Sequence, residues 1–206
     1  MPEAWSPDLV ASSESWFLRG GTRTGGQSFL GQEQLVTSPT ARWTATLTIP
    51  LGSRAKILAF NALMGALNGR VGTVLVPMND LLRAPLRAGV RPFYDARLFR
   101  TAADAAMNAT TLQVARQVGG AVLPGQHFTV DGRLYRVVTA PGGDTEKTVD
   151  FPVTLRPWLR ADVEGGTFVD FARPACTMRL ASDDTGKLEL QLARFGTVTL
   201  DFIEAF

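Results

Sequence analysis

His127 is the only histidine in the chain and Cys176 the only cysteine. A general base needs a positioned partner and a nucleophile within hydrogen-bond reach. Asp131 is near His127 in sequence, but no nucleophile accompanies the pair, so His127 reads as an ordinary strand-edge histidine. Cys176 sits in RPACTMRL among apolar neighbours and reads as a buried, inert thiol. It can form no intrachain disulfide. One His and one Cys cannot supply the ligand set of a zinc site. Asp183-Asp184 is the only adjacent acidic pair, and it falls in a turn where Asp suits the backbone geometry. A calcium loop would need more oxygen ligands at regular spacing. A carboxylate pair drawn from distant strands stays open on sequence alone. The expectation is no enzyme, with no catalytic, metal or cofactor residues.

A second pattern concerns binding. Tyr135, Trp158, Phe168 and Phe171 stand among Arg133, Arg136, Arg156, Arg160 and Arg173. One reading is a barrel face that stacks bases or sugars. The plainer reading is alternation, with the aromatics on the core side of each strand, and it outweighs the first.

The elements that would position these residues are organised around 20–77. In RWTATLTI, residues 42–49, Trp43, Ala45, Leu47 and Ile49 fall on one face; Arg42, Thr44, Thr46 and Thr48 fall on the other. That period of two predicts a half-buried strand, ended by Pro50. Ser53 is a good N-cap for a helix over about 53–68, with Asn68-Gly69 as its left-handed end. Ile57, Phe60, Met64 and Leu67 make its apolar stripe. VGTVLVP returns as a strand. Upstream, residues 1–15 read as an N-terminal arm and Trp16-Phe17-Leu18 as a first strand. GGTRTGG reads as a hairpin turn and Phe29 to Val36 as a second strand. The glycine-rich turn lacks the Gly-Lys-Ser/Thr ending of a phosphate loop.

Residues 78–109 change character. Pro85 and Pro92 break any long helix, alternation is absent, and Arg83, Arg87, Arg91, Arg97 and Arg100 outnumber the acids. An irregular, Arg-rich and aromatic excursion of this size is predicted to be an interface segment. From Thr110 the strand pattern resumes. HFTVDGRLYRVVTA is the clearest hairpin, with Asp131-Gly132 at its tip. CTMRLAS and KLELQL are expected to pair around Asp183–Gly186, and FGTVTLDFIEAF is a terminal strand. Roughly eleven strands and one helix result. The expected fold is mainly β: a split β-barrel-like domain over 16–206, a flanking α-helix, and the 78–109 insertion between its halves.

The totals agree. The chain has 206 residues, 45% of them hydrophobic and 19% charged, with 20 Gly and 12 Pro. That composition supports an ordinary core with many turns. A net charge of +2 is too small to argue for nucleic acid, and no direct recognition of it is expected. Only Lys56, Lys147 and Lys187 are lysines; the other cations are arginines, which suit interfaces, although a GC-rich gene would give the same bias. No run approaches a membrane span or a secretory signal, so a soluble protein is expected.

Several stretches taken in order resemble the tail proteins of long, non-contractile-tailed bacteriophages and related gene transfer agents, in particular the distal tail protein class. They are GQSFLGQEQLVTSPTARWTATLTIP, a short helix into LNGRVGTVLVP, LPGQHFTVDGRLYRV and TVTLDFIEAF, spanning roughly 20–77 and 110–206. The resemblance implies a split β-barrel with a flanking helix and a long hairpin, assembled as a six-fold ring. It implies a structural virion protein at the tail tip, made in the host cytoplasm, that continues the tail tube to the hub or baseplate. The partners implied are five further copies, the tail tube protein, and the hub and tape measure proteins. The contact residues expected are Arg23 in the Thr22–Gln27 tip, then Arg83, Arg87, Arg91, Phe93, Tyr94, Arg97 and Phe99 in the arm, and Phe202 and Phe206 at the C-terminal end. For that end, a strand tucked into its own core is an equal alternative. The competing functions are a carbohydrate-binding β-module of a tail tip and another tail-completion protein.

Overall fold

The computed structural model describes residues 1–27, 29–31, 33–79, 98–141, 149–188 and 196–206. It is mainly β, with a single helix among the described residues and a nearly closed six-strand, barrel-like sheet. The chain divides into two compact units, 1–76 with 177–206, and 77–176. The sequence suggested one β-rich domain with an excursion at 78–109. The inserted part begins in the same place but continues to Cys176 and contains a complete sheet of its own.

The first unit begins with β1 (Glu3–Ala4), β2 (Ser13–Arg19), β3 (Thr22–Gln27), β4 (Glu33–Thr37) and β5 (Arg42–Leu51), continues through α1 (Arg54–Leu67) to β6 (Val74–Pro77), and is completed after the second unit by β13 (Ala175–Leu180) and β14 (Gly196–Glu204). Its main sheet has the order β1-β6-β13-β14-β5-β2. β5 shows the expected alternation: Trp43, Ala45, Leu47, Ile49 and Leu51 are buried. It runs past Pro50 to Leu51, with Pro50 opposite Thr197 on β14. The β2 pairing stops at Ser13↔Thr48, so one side of β5 is already unpaired there, where proline is tolerated.

The helix is set as its caps predict. The Ser53 side chain accepts from the Lys56 amide, and Asn68 is left-handed at φ 44°. Phe60, Leu63 and Leu67 form its buried side; Leu63 joins the stripe, while Ile57 and Met64 are only half-buried. Asp183 receives the Arg70 amide at 3.0 Å, so the acidic turn holds the chain leaving the helix. The N-terminal residues are tied down. β1 pairs in parallel with β6, Leu9 is buried, and Trp5 donates to the Leu9 carbonyl while its ring meets Phe202 edge-on at 6.1 Å.

The second unit comprises β7 (Leu98–Thr101), β8 (Thr111–Val118), β9 (His127–Val130), β10 (Arg133–Thr139), β11 (Asp150–Arg156) and β12 (Phe168–Val169). The sheet order is β12-β7-β8-β11-β10-β9. Thr129 on β9 bridges to Asp170, just past β12, which brings the two ends of the sheet together. The barrel interior holds Phe99, Phe128, Tyr135, Phe151 and Phe171 with aliphatic residues from β8 to β12. Phe171 lies 4.9 Å from Phe99 and 5.0 Å from Phe128, within the range of favourable aromatic pairing. The β9–β10 turn is the predicted one, with Asp131 at φ 48° and Gly132 at φ 71°.

Two further expectations need adjustment. Residues 98–109 were assigned to the irregular excursion, yet Leu98–Thr101 is a barrel strand, and Ala105 bridges to Val163. The partner of β13 is β14, through Met178↔Glu204 and Leu180↔Phe202; residues 189–195, most of the expected KLELQL strand, lie outside the described residues.

Candidate interaction surface

Among the described residues, β3 and β4 form a two-stranded sheet of their own. GGTRTGG was read as the turn of this hairpin. Thr22–Gln27 is instead a strand, with Thr22↔Thr37, Arg23↔Val36 and Thr24↔Leu35 in register. The tip lies further out, at Phe29, Leu30 and Gly31. The glycines mark a kink and an irregularity in the ladder, not the reversal. Gly20 and Gly21 adopt φ of +88° and +99°, available to glycine at little cost, between β2 and β3. Ser38, Pro39, Thr40 and Ala41 make the matching break between β4 and β5, and the Ser38 amide donates to the Gly21 carbonyl at 2.6 Å. β3–β4 is therefore the β2–β5 pair prolonged beyond a kink.

Every residue of β4 is exposed, so neither face of that strand packs on a core among the described residues. Leu30 is 89% exposed, Leu35 62% and Val36 51%, and Phe29 is fully exposed. Phe17, on the outward face of β2, is 63% exposed, and β2 is the outermost strand of the main sheet. Scattered surface apolar residues are ordinary, whereas several together on one ribbon beside an edge strand make it the candidate contact surface.

The residues expected to make contacts separate into groups. Arg23 is exposed on β3. Arg83, Arg87, Arg91, Phe93, Tyr94 and Arg97 lie outside the described residues. Phe99 and Phe202 are in the cores of their own units, at 0% and 1% exposure. Both occupy inward positions of alternating strands and have no surface to offer a neighbour. Phe206 stays outside, with the Arg42 guanidinium 4.5 Å above its ring. Phe29, Leu30, Leu35 and Val36 are exposed apolar residues that the expected contact set leaves out; in SFLGQEQLV they stand as two apolar pairs around a polar centre, with no alternation to bury them.

Elsewhere, His127 is half-buried on the outward face of β9, and Cys176 is fully buried on β13. Among the described residues no group of three His, Cys, Asp or Glu side chains is placed to hold a metal ion, and no helix is long and apolar enough to cross a membrane. The aromatic and arginine set divides as alternation dictates. Tyr135 and Phe171 are inside the barrel, Phe168 is partly exposed, and Arg136 and Arg156 point outward.

Glu204 is the one fully buried charged residue among the described residues, at 0% exposure. The β5–β14 ladder ends at Ile203↔Thr44. The next amide along β5, that of Trp43, donates to Glu204 Oε2 at 3.0 Å. Its carboxylate continues the sheet pairing by a side chain, a structural reason for a buried acid.

No protein-family profile matches the chain, and no curated protein matches it in sequence.

Proposed function

We propose that this protein is a structural component of a phage tail tip, assembling as a ring of six copies that continues the tail tube and joins it to the hub. The single observation that carries this reading is the β3–β4 ribbon, an ordered strand pair with no core of its own and an apolar tip. An isolated two-stranded hairpin is marginal in water; one of this kind gains its stability from a second chain. β2 is the edge strand of the main sheet among the described residues, and strand addition would satisfy its outer ladder. A ring subunit needs two different surfaces, each complementary to the other, that close head to tail, and an exposed ribbon with an edge strand beside it offers such a pair. The resemblance of the four sequence stretches to distal tail proteins supplies the setting.

The test is assembly. Light scattering and negative-stain images of the purified protein should show annular oligomers at high concentration. Leu30→Asp with Val36→Asp should abolish them while leaving the folded monomer intact. A wild-type protein that stays monomeric at high concentration and has no affinity for tail tube or hub proteins would refute the proposal.

A further inference from the structure

Asn68-Gly69 is the only Asn-Gly step in the chain. It closes α1, with Asn68 exposed and Gly69 half-buried. A glycine after asparagine leaves its backbone nitrogen sterically free to reach the Asn side-chain amide, because no Cβ stands beside it. The fold holds that nitrogen away. Asn68 is left-handed at φ 44° and ψ 58°, and at that ψ its Cβ is anti to the Gly69 nitrogen across the Cα–C bond. Bringing the two together needs about half a revolution of that bond, which would carry residues 69–72 with it. Those residues are pinned. The Asn68 amide donates to the Met64 carbonyl at 3.3 Å, and the Gly72 amide donates to the Leu67 carbonyl at 2.8 Å. Between them the Arg70 amide donates to Asp183 Oδ1 at 3.0 Å. The acidic turn is braced in its turn: the Asp184 amide donates to the Ser182 hydroxyl at 3.0 Å, and the Thr185 amide to the Ser182 carbonyl at 3.4 Å. Asp183 also lies against Gly69, where a Cβ would come within 2.6 Å of Oδ1.

We propose that Asn68 is a site of spontaneous deamidation, held shut by the Asp183 latch. The Gly69 backbone nitrogen gives its proton to hydroxide and attacks Asn68 Cγ. The new C–N bond closes a cyclic imide and the Cγ–Nδ2 bond breaks. The side-chain nitrogen takes a proton from water and leaves as ammonia, which restores the hydroxide. Water then opens the imide at either of its carbonyls. One opening leaves an aspartate; the other leaves the chain linked through the side-chain carbonyl. Nothing is oxidised or reduced. Both products place a carboxylate at the C-terminal end of α1, where the helix dipole is already negative and Asp183 is the neighbour. The reaction therefore sets like charges together and works against the Arg70–Asp183 bond that delayed it. Once modified, the helix end stays loosened. The inference does not rest on ring assembly, because every residue in it belongs to the first unit, 1–76 with 177–206.

Mass spectrometry of the tryptic peptide 57–70, after incubation of the purified chain at mildly alkaline pH and physiological temperature, tests it. Conversion of Asn68 to the aspartate mass should be slow in folded wild type and fast in chain held unfolded in urea. Asn61 lies in the same peptide, is followed by alanine, and should stay unchanged. Asp183→Ala removes the acceptor of the Arg70 amide and should speed the reaction about tenfold, the worth of one hydrogen bond to a charged group. Asp183→Asn keeps an acceptor and should stay within about twofold of wild type. Asn68→Gly suits the left-handed cap and should abolish the mass change. If Asp183→Ala folds poorly, wild type alone decides: through the sub-denaturing urea range, deamidation and hydrogen exchange of the Arg70 amide should rise in parallel. Modified chain, separated by ion exchange, should exchange its Arg70 amide faster than unmodified chain. Folded wild type reacting as fast as unfolded chain, a folded Asp183→Ala variant no faster than wild type, deamidation that does not follow Arg70 exchange, or a mass change on a residue other than Asn68 would overturn the inference.

Discussion

Closure of the barrel converges on Thr129, and replacing it by valine is a sharp test. The Thr129 amide donates to the Asp170 carbonyl at 3.0 Å, and the Asp170 amide donates back at 2.9 Å. The Thr129 hydroxyl donates to the Ala175 carbonyl at 2.7 Å and accepts from the Ala175 amide at 2.6 Å. Thr129→Val keeps shape, β-branching and both backbone bonds, and removes only the two hydroxyl bonds. Each is worth about 1 kcal/mol, and two part-buried backbone groups are left without that partner, so the expected loss is about 2 kcal/mol. Urea unfolding followed by hydrogen exchange on peptides from 77–176 reads this unit separately from the other. The midpoint should fall by roughly 1 M urea. Exchange of the Ala175 amide should accelerate about 30-fold, that being 2 kcal/mol of opening free energy. Thr129→Ser restores the hydroxyl and should recover most of the loss. A valine variant within about 0.5 kcal/mol of wild type, an ordinary surface-substitution effect, with Ala175 exchange unchanged, would refute the idea that this hydroxyl anchors Ala175 to β9.

Two glycines of the first unit should differ in tolerance. A Cβ at Gly72 would lie 2.6 Å from the Leu67 carbonyl oxygen and 2.7 Å from its Cα, backbone that cannot move aside, so Gly72→Ala should cost about 3 kcal/mol in thermal unfolding. At Gly186 the Cβ would meet the ends of the Leu200 and Met64 side chains, which can shift, and the main cost is the φ of +85°; Gly186→Ala should cost about 1–2 kcal/mol. Glu204→Leu strips a buried acceptor from the Trp43 amide and should destabilise by about 2–3 kcal/mol, whereas Glu204→Gln keeps an acceptor and should cost about half of that in denaturant titrations. The Leu30→Asp, Val36→Asp pair should leave the unfolding midpoint of isolated monomer within about 0.5 kcal/mol of wild type, because those side chains contact no core; a large drop would mean that the ribbon folds back on its own unit.

Local patterns were legible where one segment carried the whole signal. The Ser53 and Asn68 caps bounded α1 because capping depends on a few neighbouring residues. The alternation in RWTATLTI gave the buried face of β5, and Asp131-Gly132 gave the β9–β10 turn. The glycine-rich 20–26 stretch was misassigned because glycine serves equally in a reversal and in a kinked strand, and its pairing with 33–37 settles which. Phe99 reads from its surroundings in sequence as an interface residue, and for Phe202 an interface and its own core are equal readings; strand parity turns both inward.

The sequence by itself determined the class of the protein: short alternating strands, one capped helix, a lone histidine and a lone cysteine. Those features depend on residue type and on spacings of a few positions. Tertiary structure decided which strands are neighbours, that 77–176 close into a barrel through Thr129, and that the 22–37 ribbon is left without a core. Neighbour choice among strands of similar composition depends on contacts between residues tens of positions apart. Local propensity carries no information about those contacts.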